Sequence, residues 1–187
     1  MPCAARGLIF QLRRNERLIR KNEMKDSLKI AMALLSRDDV EGLRLAPYLC
    51  PAGYWTIGCG NRFLADGTAV TAETQPLTQK SALLLLRQTV IGLRAVLRQC
   101  VTVPLTPWQE GALLSWQFNI GSSAMRRSTL LRLLNKGLYA EAGQQLLRWD
   151  KATLSGRQVV MTGLQRRRRL ELGVYSGHPV DGVSFTA

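Results

Sequence analysis

The feature that most constrains the fold is a long aliphatic stretch that follows Thr78. Thr78 has the side-chain oxygen that is preferred at a helix N-cap, and Pro104 and Pro107 end the stretch. Its large apolar side chains are Leu83, Leu84, Leu85, Leu86, Val90, Ile91, Leu93, Val96 and Leu97. A helix that is apolar around most of its circumference must be buried. The sequence therefore predicts a long central helix.

A glycine-rich segment before this helix predicts a small antiparallel sheet. Between Pro47 and Val70, short runs of β-prone residues alternate with Gly53, Gly58 and Gly60. The sequence Ala-Asp-Gly at residues 65–67 adds a second turn signal. One small sheet is therefore expected between positions 47 and 70.

The rest of the domain is predicted to be helical. Thr106 before Pro107, and Ser128, mark helix starts, while Gly121 and Gly137 mark helix ends. The predicted helices cover residues 108–118, 129–135 and 138–149, and a last helix that begins at residue 163 or 164 and ends before residue 177. Residues 150–162 are predicted to form a polar loop. The fold class is α+β and mostly helical, with one domain over residues 27–177, a basic extension over 1–26 and a tail over 178–187.

The charge balance indicates a polyanionic partner. The 187-residue chain has 26 Lys and Arg against 13 Asp and Glu, which gives a formal net charge of +13. Nucleic acid, an anionic membrane face and the bacterial cell wall are all partners of this kind. Charge alone does not choose among them.

The N-terminal residues lack the pattern of an export signal. Arginines and lysines interrupt the apolar residues of positions 1–25, and no small-residue cleavage site follows. No stretch reaches the roughly 18 continuous apolar residues of a membrane span. We expect either a basic helix that rests on a membrane surface or a loosely ordered basic extension, with translation starting at Met1 or Met24.

The cysteines do not predict a metal site. Cys3, Cys50, Cys59 and Cys100 have no metal-ligand spacing, and His178 is the single histidine. We therefore predict no metal and no cofactor. Without an export signal, the expected state of the cysteines is the free thiol.

Glu41 is the strongest candidate for chemistry. The spacing of apolar residues over positions 27–45 predicts a helix that Gly42 weakens and Pro47 ends, which places Glu41 in its last turn. The negative end of the helix dipole would favour the protonated carboxyl that a general acid needs. Cys50 and Thr56, in the predicted hairpin, supply a thiol and a hydroxyl for holding a water or attacking a substrate opposite Glu41.

Three blocks of sequence resemble the phage-type lysozymes, the endolysins of glycoside hydrolase family 24, over residues 27–175. The first block is Glu41-Gly-Leu-Arg44 with Thr56-Ile-Gly-Cys-Gly60. The second block is Ala112-Leu-Leu-Ser-Trp-Gln-Phe-Asn-Ile-Gly121 with Ser128-Thr-Leu-Leu-Arg-Leu-Leu-Asn-Lys-Gly137. The third block is Gly163-Leu-Gln-Arg-Arg-Arg168 with Glu171. The family's catalytic signature is a Glu, eight intervening residues, an Asp or sometimes a Cys, five more residues, and a Thr, which Glu41, Cys50 and Thr56 match at each position. The resemblance implies a sheet lobe and a helical lobe, joined by a long helix, with a glycan cleft between them.

The resemblance also implies a reaction, hydrolysis of the β-1,4 bond between N-acetylmuramic acid and N-acetylglucosamine in peptidoglycan. Glu41 would protonate the leaving oxygen, and Cys50 and Thr56 would hold the attacking water, which inverts the anomeric carbon. Direct attack by a Cys50 thiolate, with retention, stays open. We favour water positioning because an unperturbed thiol is mostly protonated at neutral pH.

Further site residues follow from the same resemblance. Phe118 and Asn119 are expected to line the cleft, with Asn119 hydrogen-bonding the N-acetyl groups of the sugars, and Arg148 to contact the peptide stem. Arg167 is expected to orient Glu41, so that replacing Arg167 with alanine costs more activity than stability. The other arginines of residues 166–169 are expected to serve attraction to the wall or solvation.

A regulatory alternative concerns Cys50. Some family members with this catalytic cysteine are held inactive by a disulfide to it while an N-terminal signal-anchor tethers them to the membrane. Cys3 or Cys59 would be the partner here, although the lack of an apolar anchor argues against this arrangement.

Two rival functions and a cellular route complete the expectations. A basic nucleic-acid-binding helical protein would explain the charge, although no nucleic-acid motif is present. A non-hydrolytic wall binder or a lytic transglycosylase would use the same fold. The resemblance implies synthesis in the host cytoplasm, holin-dependent release and action at the cell wall, and we expect a monomer with no specific nucleic-acid partner.

Overall fold

The structure is a computed structural model that describes residues 27–50, 53–154 and 156–180, without the side chain of Leu154. The elements in chain order are α1 (residues 27–35), β1 (Arg44–Leu49), β2 (Trp55–Gly58), α2 (Gln79–Cys100), α3 (Pro107–Ile120), α4 (Ser122–Arg126), α5 (Thr129–Leu134), α6 (Tyr139–Gln144), a 3₁₀ helix (Gln145–Arg148), β3 (Lys151–Leu154), β4 (Arg157–Val160) and α7 (Thr162–Tyr175). The predicted mostly helical α+β class is confirmed. The basic extension at 1–26, with Cys3 and Met24, and the end of the tail from 181 lie outside the described residues.

The predicted long helix is α2, and it contacts two hydrophobic cores. The Thr78 hydroxyl caps it by accepting a hydrogen bond from the Ser81 N–H at 3.1 Å. Leu85 packs with Ile57 and Val70 in a small core under the β1–β2 hairpin. Leu86, Val90 and Leu97 belong to the large core of the helical part. Helix α2 therefore joins a sheet lobe to a helical lobe, and within the described residues no helix is long and apolar enough to cross a membrane.

Helix α3 is the centre of the helical lobe. Its start is a capping box in which Thr106 Oγ1 accepts from the Gln109 N–H and Gln109 Oε1 accepts from the Thr106 N–H, with Pro107 at the first helical position. Every residue from 110 to 117 is buried, and α3 packs against α2 and α7. Trp116 is fully buried and meets Trp149 edge to face, with ring centroids 5.5 Å apart. These contacts fix the position of α7 relative to α3.

The helix predicted over residues 27–45 is much shorter than expected. It ends at residue 35, and Glu41 lies in the turns that follow instead of in a last helical turn. The N–H groups of Val40 and Gly42 both donate to the Arg37 carbonyl, and Gly42 has φ +71°. Pairing of Arg44 with Gly58 then starts β1. Tertiary pairing of the strand overrides the local helical pattern, so the helix-dipole argument for Glu41 does not apply.

The loop predicted over residues 150–162 is also wrong, because it forms a second hairpin. Strands β3 and β4 pair antiparallel in a regular register from Lys151↔Val160 to Leu154↔Arg157. Polar and apolar residues alternate only over the four residues of β3, whereas β4 has the sequence Arg-Gln-Val-Val and is exposed along its length, so the sequence contains only a weak strand signal. The residues that the structure describes therefore contain two small sheets where we expected one.

The β1–β2 hairpin matches the predicted sheet and extends it by a few residues. Its strands pair Tyr48 with Thr56 and Leu49 with Trp55, and the register shifts between Arg44 and Tyr48. Pro47 lies within this irregular part. Because proline has no N–H to donate, it is tolerated where the ladder is interrupted.

An ion cluster that joins α2 to the start of α3 predicts acid-sensitive stability. Glu110 is buried, with Oε2 3.1 Å from Arg94 Nε and 3.0 Å from Arg98 Nη2. Burial alone would raise the pKa of Glu110, but hydrogen bonds from Arg98 and Ser27 and the charges of Arg94 and Arg98 outweigh it and lower the pKa from 4.5. A lowered folded-state pKa contributes stability that is present above the unfolded-state pKa and lost as pH falls through the folded-state pKa.

We therefore expect the free energy of unfolding to decrease below pH about 4.5. Glu110→Gln should cost about 2 kcal/mol at pH 7 and should flatten this acid dependence. Denaturant titrations between pH 3 and pH 7 measure both effects. If the free energy of unfolding of Glu110→Gln falls with pH as steeply as that of the wild type, other carboxylates cause the acid sensitivity.

Candidate active site

Glu41 lies where the two lobes meet. Its Oε1 accepts a hydrogen bond from Arg167 Nη1 of α7 at 2.5 Å, and its side chain is 21% exposed. Arg167 itself is 4% exposed. The carboxyl is therefore held from the buried side by an arginine and is open to solvent on the other side.

Gly60 shapes the pocket around this carboxyl. A Cβ at position 60 would lie 2.8 Å from Glu41 Oε2 and 3.5 Å from Cε1 of Phe118, and Gly60 has φ +81°. Any other residue would be strained and would also displace the carboxyl. Phe118, which was predicted to line the cleft, is therefore close to Glu41.

Cys50 and Thr56 are diagonal neighbours on one face of the β1–β2 hairpin. The Cys50 N–H donates to the Tyr54 carbonyl at 2.9 Å, so Cys50 is opposite Tyr54 and two positions from Thr56 along the ladder. Side chains at such diagonal positions project from the same face. Thr56 is buried, and its hydroxyl donates to the Tyr48 carbonyl at 3.1 Å, which leaves its oxygen available as an acceptor.

The cysteines differ in their availability for chemistry. Cys50, Cys59 and Cys100 are free thiols, with Cys50 and Cys100 partly exposed. Burial and, to a smaller extent, the charge of Glu41 raise the pKa of Cys59 to about 11. The Cys59 thiol is fully buried and stays protonated at neutral pH, which makes it an unreactive packing residue.

Behind Glu41 lies a buried ionic network on helices α3 and α7. Glu171 is fully buried, and its Oε1 accepts from Arg167 Nε at 3.0 Å and from Ser115 Oγ at 2.8 Å. Its Oε2 accepts from Arg168 Nη1, and Arg167 Nη2 donates to the Ser115 carbonyl at 3.0 Å. Two carboxyl groups, of Glu41 and Glu171, thus face the two guanidinium groups. The network therefore satisfies the buried charges and fixes the guanidinium that holds Glu41.

The expectation for Arg168 is wrong. We expected it, with Arg166 and Arg169, to serve wall attraction or solvation, but Arg168 is fully buried, whereas Arg166 and Arg169 are exposed. Burial lowers the pKa of Arg168, and the nearby Glu171 carboxylate opposes that effect. The sequence did contain a signal, because Glu171 stands three and four residues after Arg168 and Arg167, the spacing that brings side chains together on a helix.

Asn119 joins this network, and Arg148 is placed apart from it. Asn119 is exposed, and its Oδ1 accepts from Arg168 Nη2. Arg148 is exposed at a cavity of about 490 Å³ next to the β3–β4 hairpin. The lining residues of that cavity are Thr129, Leu130, Gln145, Arg148, Trp149, Lys151 and Gln158. The contacts thus bring together Glu41, Phe118, Arg167 and Asn119, whereas Arg148 lines a separate opening.

The sequence of this chain is similar to those of known phage lysozymes. The model of the phage lysozyme family matches residues 38–171, which include Glu41, the hairpin, α3 and the arginine network. An endolysin of Acyrthosiphon pisum secondary endosymbiont phage 1 is 38% identical over 135 residues, 72% of this chain and 88% of that protein. This chain belongs to the phage lysozyme family. The protein is therefore a lysozyme-type glycoside hydrolase that lyses the bacterial cell wall.

Other relatives agree with this assignment. The SAR-endolysin of Escherichia phage Mu is 33% identical over 144 residues, 77% of this chain and 78% of that protein. The solved structure of an endolysin from Escherichia coli O157:H7 phage FAHEc1 superposes with a TM-score of 0.72 at 31% identity, covering 82% of this chain and 94% of that chain. The predicted resemblance to phage-type lysozymes and the lysozyme-like fold are confirmed.

Proposed function

We propose that this phage lysozyme cleaves the glycan by general acid catalysis from Glu41 while Cys50 and Thr56 position the attacking water. The observation that carries the proposal is the placement of the Glu41 carboxyl between the lobes, 21% exposed and bonded to Arg167 at 2.5 Å. A general acid must reach the leaving oxygen from a fixed position. The bond to Arg167 and the close approach of Gly60 support such a position.

Arg167 has a role in the proton transfer. Donation of the proton to the glycosidic oxygen leaves a carboxylate on Glu41. The guanidinium of Arg167, bonded to Oε1 on the buried side, stabilises the negative charge that develops there. Its other nitrogens are bonded to Glu171 and Ser115, so the charge is already oriented before reaction begins.

The hairpin supplies the second half of the reaction. Cys50 and Thr56 share one face, and the Thr56 oxygen has acceptor capacity left after its bond to Tyr48. A water held between a thiol and a hydroxyl oxygen is available to attack the anomeric carbon from the face opposite the acid, which gives inversion, and the proton that this water loses passes to the surrounding solvent. In the competing route, the Cys50 thiolate displaces the glycosidic oxygen, which takes the proton from Glu41, and water then cleaves the carbon–sulfur bond, so that the product retains its configuration.

Replacing Cys50 with serine separates the two routes. If Cys50 positions water, Cys50→Ser keeps a polar group in place and should retain turnover to within about tenfold, and the first-formed product should have the inverted anomeric configuration. NMR of the fresh product and mass spectrometry of acid-quenched enzyme measure the outcome. Cys100→Ser, at a thiol outside the hairpin, is the matched control.

A covalent glycosyl-enzyme adduct in the wild type, absent in Cys50→Ser, would overturn the water-positioning role. The same product analysis tests the rival reaction, because hydrolysis leaves a reducing end whereas a lytic transglycosylase leaves an anhydro sugar. Intact sacculi in all reactions would indicate a wall binder.

The substrate contacts and the cellular route complete the proposal. Phe118 and Asn119 line the glycan site beside Glu41, and Arg148 contacts acidic groups of the peptide stem from its exposed cavity. The anionic wall attracts the strongly basic chain. The enzyme acts as a monomer, is made in the host cytoplasm and reaches the periplasm through a holin-dependent lesion.

A further inference from the structure

We propose that Arg168 sets the orientation of the Asn119 amide and thereby makes Asn119 a hydrogen-bond donor to an N-acetyl carbonyl of the substrate. Arg168 is then a positioning residue and a determinant of specificity for acetylated glycan. This inference rests on the proposed function, because it concerns the same cleft.

The guanidinium of Arg168 has no freedom to reorient. It is fully buried, with Nε donating to the Trp149 carbonyl at 2.9 Å, Nη1 donating to Glu171 and Nη2 donating to Asn119 Oδ1. Three acceptors on three separate segments, the residue after the 3₁₀ helix, helix α7 and the end of α3, thus define its plane. The planar fork of arginine matches such an arrangement, whereas a lysine ammonium does not.

Arg168 determines which atom of Asn119 faces inward. A guanidinium has only donors, so the amide must turn its oxygen toward Arg168. The opposite orientation would place the NH₂ group of Asn119 against the N–H groups of Arg168 and would leave both without an acceptor, which is costly at a buried donor. Arg168 therefore selects one of the two amide orientations.

The outward group of Asn119 is then its Nδ2. Asn119 is exposed, and its Nδ2 makes no hydrogen bond to any residue in the described part of the chain. Its neighbour Phe118 borders the Glu41 pocket at Gly60. A fixed donor at this position fits a carbonyl oxygen, which each N-acetyl sugar of peptidoglycan presents, and does not fit the ammonium of a de-N-acetylated sugar, which has donors and no acceptor.

Two variants test the inference on N-acetylated and de-N-acetylated peptidoglycan. Arg168→Lys keeps the charge of the site but loses the fork, and Asn119→Asp keeps the oxygen for Arg168 but turns the outward donor into an acceptor. Arg169→Lys, at an exposed position on the same helix, is the matched control. The measurements are kcat and KM on both substrates and the melting temperature of each variant.

We expect the wild type and Arg169→Lys to prefer the acetylated substrate by about tenfold or more in kcat/KM. In Arg168→Lys this preference should shrink to about threefold or less, mainly through KM, because the amide samples both orientations. Because Arg168→Lys keeps the positive charge at position 168, a change in the electrostatic attraction of the de-N-acetylated substrate cannot explain the smaller preference for acetylated substrate. Asn119→Asp should melt no lower than wild type while its KM on acetylated substrate rises about tenfold.

The inference is overturned if a folded Arg168→Lys discriminates as well as Arg169→Lys does. If Arg168→Lys does not fold, Asn119→Asp decides, and an unchanged KM overturns the inference. Failure of the proposed function would look different, because the wild type and Arg169→Lys would then leave both substrates intact.

Discussion

Replacing Glu41 with glutamine is expected to abolish cell-wall lysis and to leave the fold intact. Glutamine keeps an oxygen that accepts from Arg167 and has the size of glutamate, so the contact across the two lobes survives. It has no acidic proton to give to the leaving oxygen. Because a positioned general acid contributes roughly 10² to 10⁴ in rate, we expect turnover to drop by about a thousandfold or more.

The measurement is release of reducing ends from purified sacculi, together with a thermal melt of the variant. Asp39→Asn is the matched control, because Asp39 is an exposed carboxylate in the same turn that pairs with Arg37 at 2.8 Å. Removing that charge should change turnover by less than about twofold. Substantial lysis by Glu41→Gln, or an equal loss in the control, would contradict the catalytic role of Glu41.

Replacing Glu171 with glutamine is expected to cause the largest loss of stability among single substitutions at the site. The Glu171 carboxylate is fully buried and serves Arg167, Arg168 and Ser115 at once. A glutamine removes the negative charge between two buried guanidinium groups and turns one acceptor into a donor that faces donors. Breaking a buried ion pair from one side costs about 3 to 5 kcal/mol, because the remaining charge is uncompensated.

Chemical denaturation at pH 7 measures this loss, and Glu141→Gln on the exposed side of α6 is the control. The control should change the free energy of unfolding by less than about 0.5 kcal/mol. The Glu171 variant should also lose activity at temperatures where it is folded, because Arg167 and Arg168 lose their common anchor. A change below about 1 kcal/mol would mean that water replaces the carboxylate and that the network is not a structural unit.

The substitution at Glu171 also bears on the expectation for Arg167. From the sequence alone, the loss of Arg167 should cost activity more than stability. Arg167 is 4% exposed and bonds to Glu171 and to the Ser115 carbonyl as well as to Glu41. Activity and stability therefore both depend on Arg167. Glu41→Gln tests its contact on the activity side, and Glu171→Gln tests its contact on the stability side.

The sequence determined what depends on near neighbours in the chain. The caps at Thr78, Thr106 and Ser128 were predicted because a hydroxyl bonds an N–H three residues later, and α2 was predicted because its apolar content is local. The resemblance to the phage-type lysozymes likewise rests on short blocks of consecutive residues, which contain the Glu, Cys and Thr of the family's signature. The turn after α1 and the β3–β4 hairpin were missed, because strand pairing decides them against a weak or opposing local pattern.

Only the tertiary structure decided which charges are buried and what they contact. The sequence shows four consecutive arginines at residues 166–169, and the spacing to Glu171 pairs Arg167 and Arg168 with it on the helix, but that spacing does not distinguish buried arginines from exposed ones. The packing of α7 on α3 makes that distinction, because it turns Arg167 and Arg168 toward Ser115 and Asn119. Arg167 and Glu41 are 126 residues apart, and their contact, which we expected only from the family resemblance, joins α7 to the turn after α1. A contact of that sequence separation depends on the whole fold, and no periodicity in the chain encodes it.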